Sequence, residues 1–575
     1  MEGTSLDYIS LSDWETNEAQ LMQQLNDPSN WSRIPSLNDV TLKDVADQQL
    51  VHFLGMIQDM HNPELFLERY EVQHCVSSLT AVRLGKYWDI PRCGPDEVLV
   101  DDSVHNVNKE RQSLCCISVP ALNSWAKQPY GTNLNRSTAC ISKQPDRNEK
   151  GHPDESPSVN DAEPSPKRLC TDNRKSAAND LESNLPLPGP EAKTCLVKVY
   201  NNDEKLSLND VIEVIGFLSK DPVMENVSNF EEMDEDGDVC NHVQQVPLPP
   251  RLHALCMRKR KHCNPLVDHA FCNTGEMLGL ARTVRDDLHL VLSQMLLGDH
   301  LAADYLICHL ISTVFQRSEL LALGQFSLNL SGMLTTDGYS RHLYAVLEQL
   351  LTKSHFLPLT LDNLNKGTFI PRKDYEQNRL LSGLLQLSAQ THLVLDETCL
   401  QQGQLDSNGV HNIAALGALI SQQKVDYDFK YYTLEFHTDV PVLVLSEGKS
   451  LLPSNVNVPL EFDAHSLQTK KEIFEAVGHF LQEPMLHKLR KYLTVMSHLQ
   501  YSLPQDLEKV IQDDFVRLRR GTGSTTSASD LHLLLVLARL VSLSRGEQSL
   551  SKESWELACS MEKQRKHRVS QYIRH

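Results

Sequence analysis

Leu380-Leu-Ser-Gly-Leu-Leu-Gln-Leu387, Leu393-Val-Leu-Asp-Glu397, the charged aromatic run Lys424–Phe436 and Val440-Pro-Val-Leu-Val-Leu445 follow one another within residues 380–452. Leu393–Leu395 is a short apolar run that ends in two acids. A strand buried on both faces reads as such a run, without polar alternation. It would deliver Asp396 and Glu397 at its C-terminal edge. The stretch up to Ile420 mixes polar and apolar residues, Lys424–Phe436 suits a hairpin, and Val440–Leu445 reads as another strand. The order strand, acids, helix, hairpin, strand predicts an α/β core.

Two acids at such an edge have a known chemistry. In P-loop ATPases this edge carries the acid that holds Mg²⁺ and the acid that polarises water. That chemistry needs an upstream Gly-x4-Gly-Lys-[Ser/Thr] loop, whose N–H groups and lysine cradle phosphate. Phe326-Ser-Leu-Asn-Leu330 alternates like a strand and is followed by Ser331-Gly332-Met-Leu-Thr-Thr-Asp-Gly338-Tyr339-Ser340. A helical pattern, His342-Leu-Tyr-Ala-Val-Leu347, comes next. Gly332, Gly338 and Ser340 are present, whereas Tyr339 stands where the lysine belongs and Asp337 adds a negative charge. These changes cost several kcal/mol of charge-assisted phosphate binding. The pair therefore reads as a vestigial Walker A-like loop and a vestigial Walker B-like edge at Asp396 and Glu397. Neither signal carries weight alone. An Asp-Glu after an apolar run is common, and the glycine loop is an ordinary strand–helix turn.

The run Gly383-Leu-Leu-Gln-Leu387 to Leu393-Val-Leu-Asp-Glu397 resembles the Walker B region of the MCM replicative helicase subunits. Leu296-Leu-Gly-Asp-His-Leu-Ala-Ala-Asp-Tyr-Leu-Ile307 resembles the helix that opens their AAA+ core. A closer resemblance is to the mini-chromosome maintenance complex-binding protein family. It is carried by Met56-Ile-Gln-Asp-Met60, Cys195-Leu-Val-Lys-Val-Tyr200, Leu385-Gln-Leu387, Asp396-Glu397, Gly403-Gln-Leu-Asp406, Gly409-Val-His-Asn412 and Gln423-Lys-Val-Asp-Tyr-Asp-Phe429. The resemblance runs from about Trp31 to about residue 565, with an interruption at 130–190. It implies a nuclear, non-enzymatic partner of MCM helicase subunits. Such a partner acts on assembly, protection or unloading of the complex during DNA replication, with consequences for sister-chromatid cohesion. Chromatin association would be indirect, through MCM, with no cofactor. Further positions depart from the MCM ATPase pattern. Ser446-Glu447-Gly448 stands where those subunits place an Asn, no Ser-Arg-Phe-Asp string follows, and Ala528 and Ser529 replace an expected arginine.

Composition narrows the partners. The chain has 575 residues, enough for two or three domains, and 75 acids against 55 bases give a net charge of −20. Affinity for a DNA backbone comes mainly from Lys and Arg, so strong direct DNA binding is not expected. Met1–Ser10 lacks the apolar core of a signal segment, and Leu531–Leu543 is broken by His532 and Arg539 and is too short to span a bilayer. No membrane association is expected. Fourteen scattered cysteines without a Cys-x-x-Cys pair suit a reducing compartment. His253, Cys256, His262 and Cys263 imitate a zinc cluster, but with finger-like spacing absent and Arg258-Lys-Arg-Lys261 between them no metal is assigned.

The expected architecture is α/β with an additional β-rich domain: a split OB-like barrel, then a degenerate AAA+-like α/β core, then a helical lid. Residues 1–40 form a helical lead, and 41–225 an OB-like domain interrupted at about 130–190. A linker follows at 226–274, then the core at 275–465 and the lid-like helices at 466–575. The OB assignment follows from the resemblance, since MCM subunits carry such a barrel before their AAA+ core. The interruption is rich in Asn, Ser, Pro, Asp and Lys and is expected to be disordered. Within it Lys167, Arg168, Arg174 and Lys175 read either as a nuclear import signal or as solvated linker charge. Ser156 and Ser165 precede prolines and are weak phosphosite candidates. Within the barrel, Tyr87, Trp88, Arg83 and Lys86 read either as a stacking platform for single strands or as a packed turn. Two alternatives to the binding reading stand: an active AAA+-type ATPase with an unusual phosphate loop, and a single-strand-binding OB protein.

Overall fold

The computed structural model describes residue 9 and residues 11–127, 184–187, 192–200, 204–220, 249–268, 271, 274–318, 321–521 and 527–572. Its first half is built on eight strands. They are β1 (Gln49–Met60), β2 (Glu64–His74), β3 (Thr80–Leu84), β4 (Glu97–Leu99), β5 (Val107–Ser118), β6 (Thr194–Val199), β7 (Val211–Ser219) and β8 (Arg251–Lys259). Five of them close a ring: β1 pairs β7, β7 pairs β8, β8 pairs β6, β6 pairs β5, and β5 returns to β1. Only β6–β8 is parallel. Closure leaves none of these five strands with an unpaired edge. β2, β3 and β4 form a flap that grows from β5.

The run Val211–Ser219 is buried along its whole length, and the reason is a cover on each face. Ile212, Val214 and Leu218 pack inside the barrel with Val51, Phe53, Leu114, Val197 and Leu252. Ile215 and Phe217 pack outward on Trp14, Leu21 and Leu25 of α1 (Leu11–Leu25). Trp14 meets Phe217 edge-on at 6.0 Å. The residues after α1 then dock, with Trp31 donating to the Leu25 carbonyl and Leu37 entering the barrel core.

The second half adds eleven helices among the described residues. They are α2 (Thr274–Met295), α3 (His300–Leu310), α4 (Tyr339–Leu350), α5 (Leu361–Lys366), α6 (Ser407–Gln422), α7 (Ala464–Gln468), α8 (Lys470–Phe480), α9 (Met485–His498), α10 (Gln505–Gly521), α11 (Ala528–Ser544) and α12 (Lys552–Tyr572). Its strands are β9 (Gln316–Arg317), β10 (Ala322–Leu323), β11 (Leu328–Ser331), β12 (Ser354–Pro358), β13 (Arg372–Asp374), β14 (Arg379–Leu381), β15 (His392–Asp396), β16 (Lys424–Asp428), β17 (Thr433–His437), β18 (Val442–Ser446) and β19 (Val456–Pro459).

Five strands form an all-parallel sheet in the order β12-β15-β18-β11-β19. Alternate residues of its strands serve two cores. Val394, Leu443 and Leu445 face the cluster built by α2, α3, α4 and the C-terminal helices. Leu393, Leu395, Val442 and Val444 face α6 and a small sheet, β14-β13-β16-β17. Burial on both faces is what gives β15 and β18 their unbroken apolar runs. α12 packs along β19, the outermost strand, and covers that edge.

Barrel and core are clasped by two strings distant in sequence. From β1, the Gln58 side-chain amide donates to the Leu380 carbonyl at 2.7 Å and to Ser382 Oγ at 3.0 Å. In return Gln386 donates to the Gln58 carbonyl at 2.8 Å, and the Leu380 N–H donates to Asp59 Oδ2 at 2.8 Å. Asn184 closes the same seam on Leu380 and Ser382. Gly383 is obligatory beside it, because a Cβ would stand 2.4–2.7 Å from the Phe369 and Ile370 backbone. Replacing Asp59 by alanine strands a buried N–H. It is expected to cost about 1–3 kcal/mol and to show as faster proteolysis between barrel and core.

Two expectations need correction. The linker at 226–274 does not hold over Arg251–Lys259, which is the fifth barrel strand. Its basic residues are neutralised by distant acids: Arg258 and Arg260 reach Glu213, and Arg251 reaches Asp89. The strand before the glycine loop is Leu328–Ser331, two residues later than the alternation of Phe326–Leu330 suggests. α3 ends at Leu310, and the chain turns into the β9–β10 pair. The cap of α11 is Ser527, which accepts from the Asp530 N–H while the Asp530 side chain accepts back. The expected disorder at 130–190 lies almost wholly outside the described residues.

Candidate functional site

β11 and β15 bring the glycine loop and the acid pair to one edge of the parallel sheet. Ser340, in the first turn of α4, donates to Asp396 Oδ2 at 2.8 Å, and both residues are buried. Asp396 also accepts from the Thr398 N–H at 3.0 Å, from Thr398 Oγ1 at 2.6 Å and from Cys399 Sγ at 3.3 Å. Four donors thus fill its two oxygens. Glu397 accepts from Ser450 Oγ at 2.8 Å. Burial raises its carboxyl above the ordinary range, partly offset by Ser450 and the Leu451 and Leu452 backbone.

The loop itself departs from a phosphate cradle in three ways. Five residues, Met333–Asp337, separate Gly332 from Gly338, where the phosphate pattern has four. Gly338 sits at φ +62° in the N-cap position of α4, a conformation glycine adopts freely. Tyr339 is 2% exposed and points into the core. Its hydroxyl donates to the Met295 carbonyl at 2.8 Å, and its ring stacks on Phe474. Asp337 pairs with Lys470 of α8, which holds its carboxyl below the usual range. The loop's own acid thereby engages the Lys470 ammonium. At the neighbouring strand end Ser446 Oγ donates to Asn329 Oδ1 at 3.0 Å. The structure thus joins Ser340 to Asp396, while Gly332 and Gly338 lie in the loop that leads to Ser340 and Glu397 turns to Ser450. Replacing Ser340 by alanine removes one of four donors and is expected to cost about 1 kcal/mol in a denaturant melt.

The remaining sequence candidates fall elsewhere. Tyr87 is buried at 6% exposure against Tyr200 and Phe217, so the packed-turn reading describes it. Asp89, at the end of that turn, is anchored by Arg251 at 2.6 Å and Ser219 at 2.8 Å. Arg83 pairs with Glu97, and Lys86 lies 4.9 Å over the Tyr87 ring. His253 bonds Tyr200 at 2.7 Å, while His262 packs on Phe271 and His498. Among the described residues no group of three or more His, Cys, Asp or Glu gathers as a metal site. Lys167, Arg168, Arg174 and Lys175 lie outside the described residues. Sequence reasoning missed Tyr339 as a core residue, Lys470 and Ser450, whose contacts span 133 and 53 residues.

Barrel, parallel α/β sheet with an acid edge, and helical C-terminal part define a barrel-plus-α/β protein whose glycine loop has a core tyrosine in the lysine position and an acid paired with Lys470. Residues 21–569 match the model of a family described as mini-chromosome maintenance replisome factor. The chain is 38% identical over 582 residues to the mini-chromosome maintenance complex-binding protein of Drosophila melanogaster, covering 96% of this chain and 95% of the relative. It is 38% identical to that of Danio rerio, with 98% and 95% covered. Against that of Homo sapiens it is 36% identical, with 97% and 94% covered. The chain belongs to the mini-chromosome maintenance complex-binding protein family. No described helix is long and apolar enough to cross a membrane.

Proposed function

We propose that this chain is a non-enzymatic binding partner of the mini-chromosome maintenance complex. It acts in the nucleus on assembly, stability or unloading of that complex during DNA replication, and through it on sister-chromatid cohesion. The observation that carries the reading is near full-length likeness to relatives bearing that name. Chromatin contact is indirect, and Lys167, Arg168, Arg174 and Lys175 serve nuclear import. Weak direct DNA binding is supported by the net charge of −20 and by the burial of Tyr87.

The core is AAA+-like. In chain order its sheet runs second, third, fourth, first, fifth strand, with the glycine loop after the first and the acids after the third. The barrel is of OB type, supported by its five-strand ring and single parallel pairing. Such a chain presents subunit-like surfaces to helicase subunits without driving translocation. Buried Tyr339 in the lysine position supports the absence of ATP turnover.

One contact favours the second reading, an ATPase. Ser340 and Asp396 meet as a magnesium-holding pair would. Titrating Mg·ATP into the full chain separates the two. The binding reading predicts no saturable heat and no phosphate release. Saturable binding with release would establish the ATPase instead.

A further inference from the structure

The flap exposes large apolar side chains: Leu65 on β2, Val82 and Leu84 on β3, and Val98 on β4. Scattered apolar residues on a surface need no explanation, but a cluster marks a contact surface. β3 ends its sheet, with β2 on one side and no described strand on the other. The ladder is bracketed by two bonds, His74 N–H to the Leu79 carbonyl and Gly85 N–H to the Glu68 carbonyl. In an antiparallel pair this fixes the alternation, so odd-numbered residues of β3 bond β2. Thr80, Val82 and Leu84 therefore turn their N–H and C=O groups to the open side.

The side chains agree with the backbone. Val82 and Leu84 lie opposite Glu71 and Arg69, and Val98 lies opposite Gln73, all on the face away from buried Tyr70 and Val72. No lysine or proline guards Thr80-Ala-Val-Arg-Leu84, although such residues are the usual defence of an open edge. Its one cation, Arg83, is held by Glu97 on the inner side.

The occupant follows from hydrogen bonding and charge. An open edge takes extended backbone, and the aliphatic face beside it takes aliphatic residues at alternate positions. Between Glu64 and Arg111 stand nine acids against six bases, with Asp96, Asp101 and Asp102 exposed. A basic-flanked segment complements that field. A second copy of this chain does not, because two chains of −20 repel. We propose that the open edge of β3 receives, by strand addition, an extended segment of a mini-chromosome maintenance subunit. Aliphatic residues of that segment rest on Val82 and Leu84, and basic residues rest beside the flap's acids. This proposal rests on the reading that the chain binds that complex.

The test uses the full chain and the purified, assembled complex. Val82→Pro removes one outward N–H and leaves the β2 ladder intact, since proline is tolerated at an edge. The double variant Val82→Lys, Leu84→Lys charges the same strip without touching backbone. Both are expected to melt like the unaltered chain and to bind the complex at least tenfold more weakly. In the unaltered chain the amides of Thr80, Val82 and Leu84 are expected to gain exchange protection on binding. Should Val82→Pro fail to fold, the double variant decides. If the unaltered chain binds, and the folded variants bind equally well with no gain in protection, strand addition at β3 is overturned while the partner stands. If the unaltered chain does not bind, the partner reading fails and this proposal with it.

Discussion

Replacing Tyr339 by lysine is expected to lower the stability of the chain by about 3–5 kcal/mol and to create no nucleotide site. The substitution restores the lysine that a phosphate loop requires, although Asp337 and the extra loop residue remain. The structure argues against a repaired site. Tyr339 is buried between α2 and the Phe462 and Phe474 rings, and its hydroxyl satisfies the Met295 carbonyl. A lysine there loses the aromatic packing, leaves that carbonyl without its donor, and places an ammonium in an apolar core. Thermal melts of the two chains, together with Mg·ATP titrations of each, check both halves. A variant that melts like the parent and binds ATP would show that the loop is a phosphate cradle lacking only its lysine.

Glu213→Ala is expected to cost a similar amount, about 3–5 kcal/mol, from the opposite half of the molecule. Glu213 sits on β7 with its side chain 4% exposed. It accepts from His52 at 2.7 Å, Arg258 at 2.7 Å and Arg260 at 2.8 Å. Truncation leaves Arg258 on β8, and Arg260 just past its end, without their shared counter-charge, and removes the partner of His52. The same cluster sets an acid limit. Burial alone would raise the Glu213 carboxyl, but the His52 bond and the Arg260 and Arg258 charges bring it down to about 2. A depressed folded value means that the carboxylate stabilises the fold above the unfolded value of 4.5, and that this contribution is lost as pH falls toward 2. Denaturant melts between pH 6 and pH 3 are expected to show that loss in the parent and a shallower slope in Glu213→Gln. Equal slopes would remove Glu213 from the acid response.

What could be read from the sequence follows from where each interaction's partner lies. The runs Leu393–Leu395 and Val440–Leu445 announce themselves because a strand covered on both faces has no polar position to interrupt it. A parallel sheet brings strand ends to one edge, which is why Ser340 and Asp396 meet. The β8 strand was hidden because Arg251, Arg258 and Arg260 look like a solvated linker until Asp89 and Glu213 are seen opposite them. Gln58 and Asp59 were equally opaque. They are polar residues in a strand, and their partners lie 322 and 321 residues away. The strings Met56–Met60 and Leu385–Leu387 carried the family resemblance without disclosing that they are two sides of one seam.

The affinity of the purified full chain for the assembled mini-chromosome maintenance complex, measured with no nucleotide added to either, bears most directly on what this protein does. Saturable binding in the micromolar range or tighter, on the order of −8 kcal/mol or more favourable, is the predicted result. Absence of saturation at tens of micromolar complex would contradict it and leave the barrel and the acid edge without the partner proposed for them.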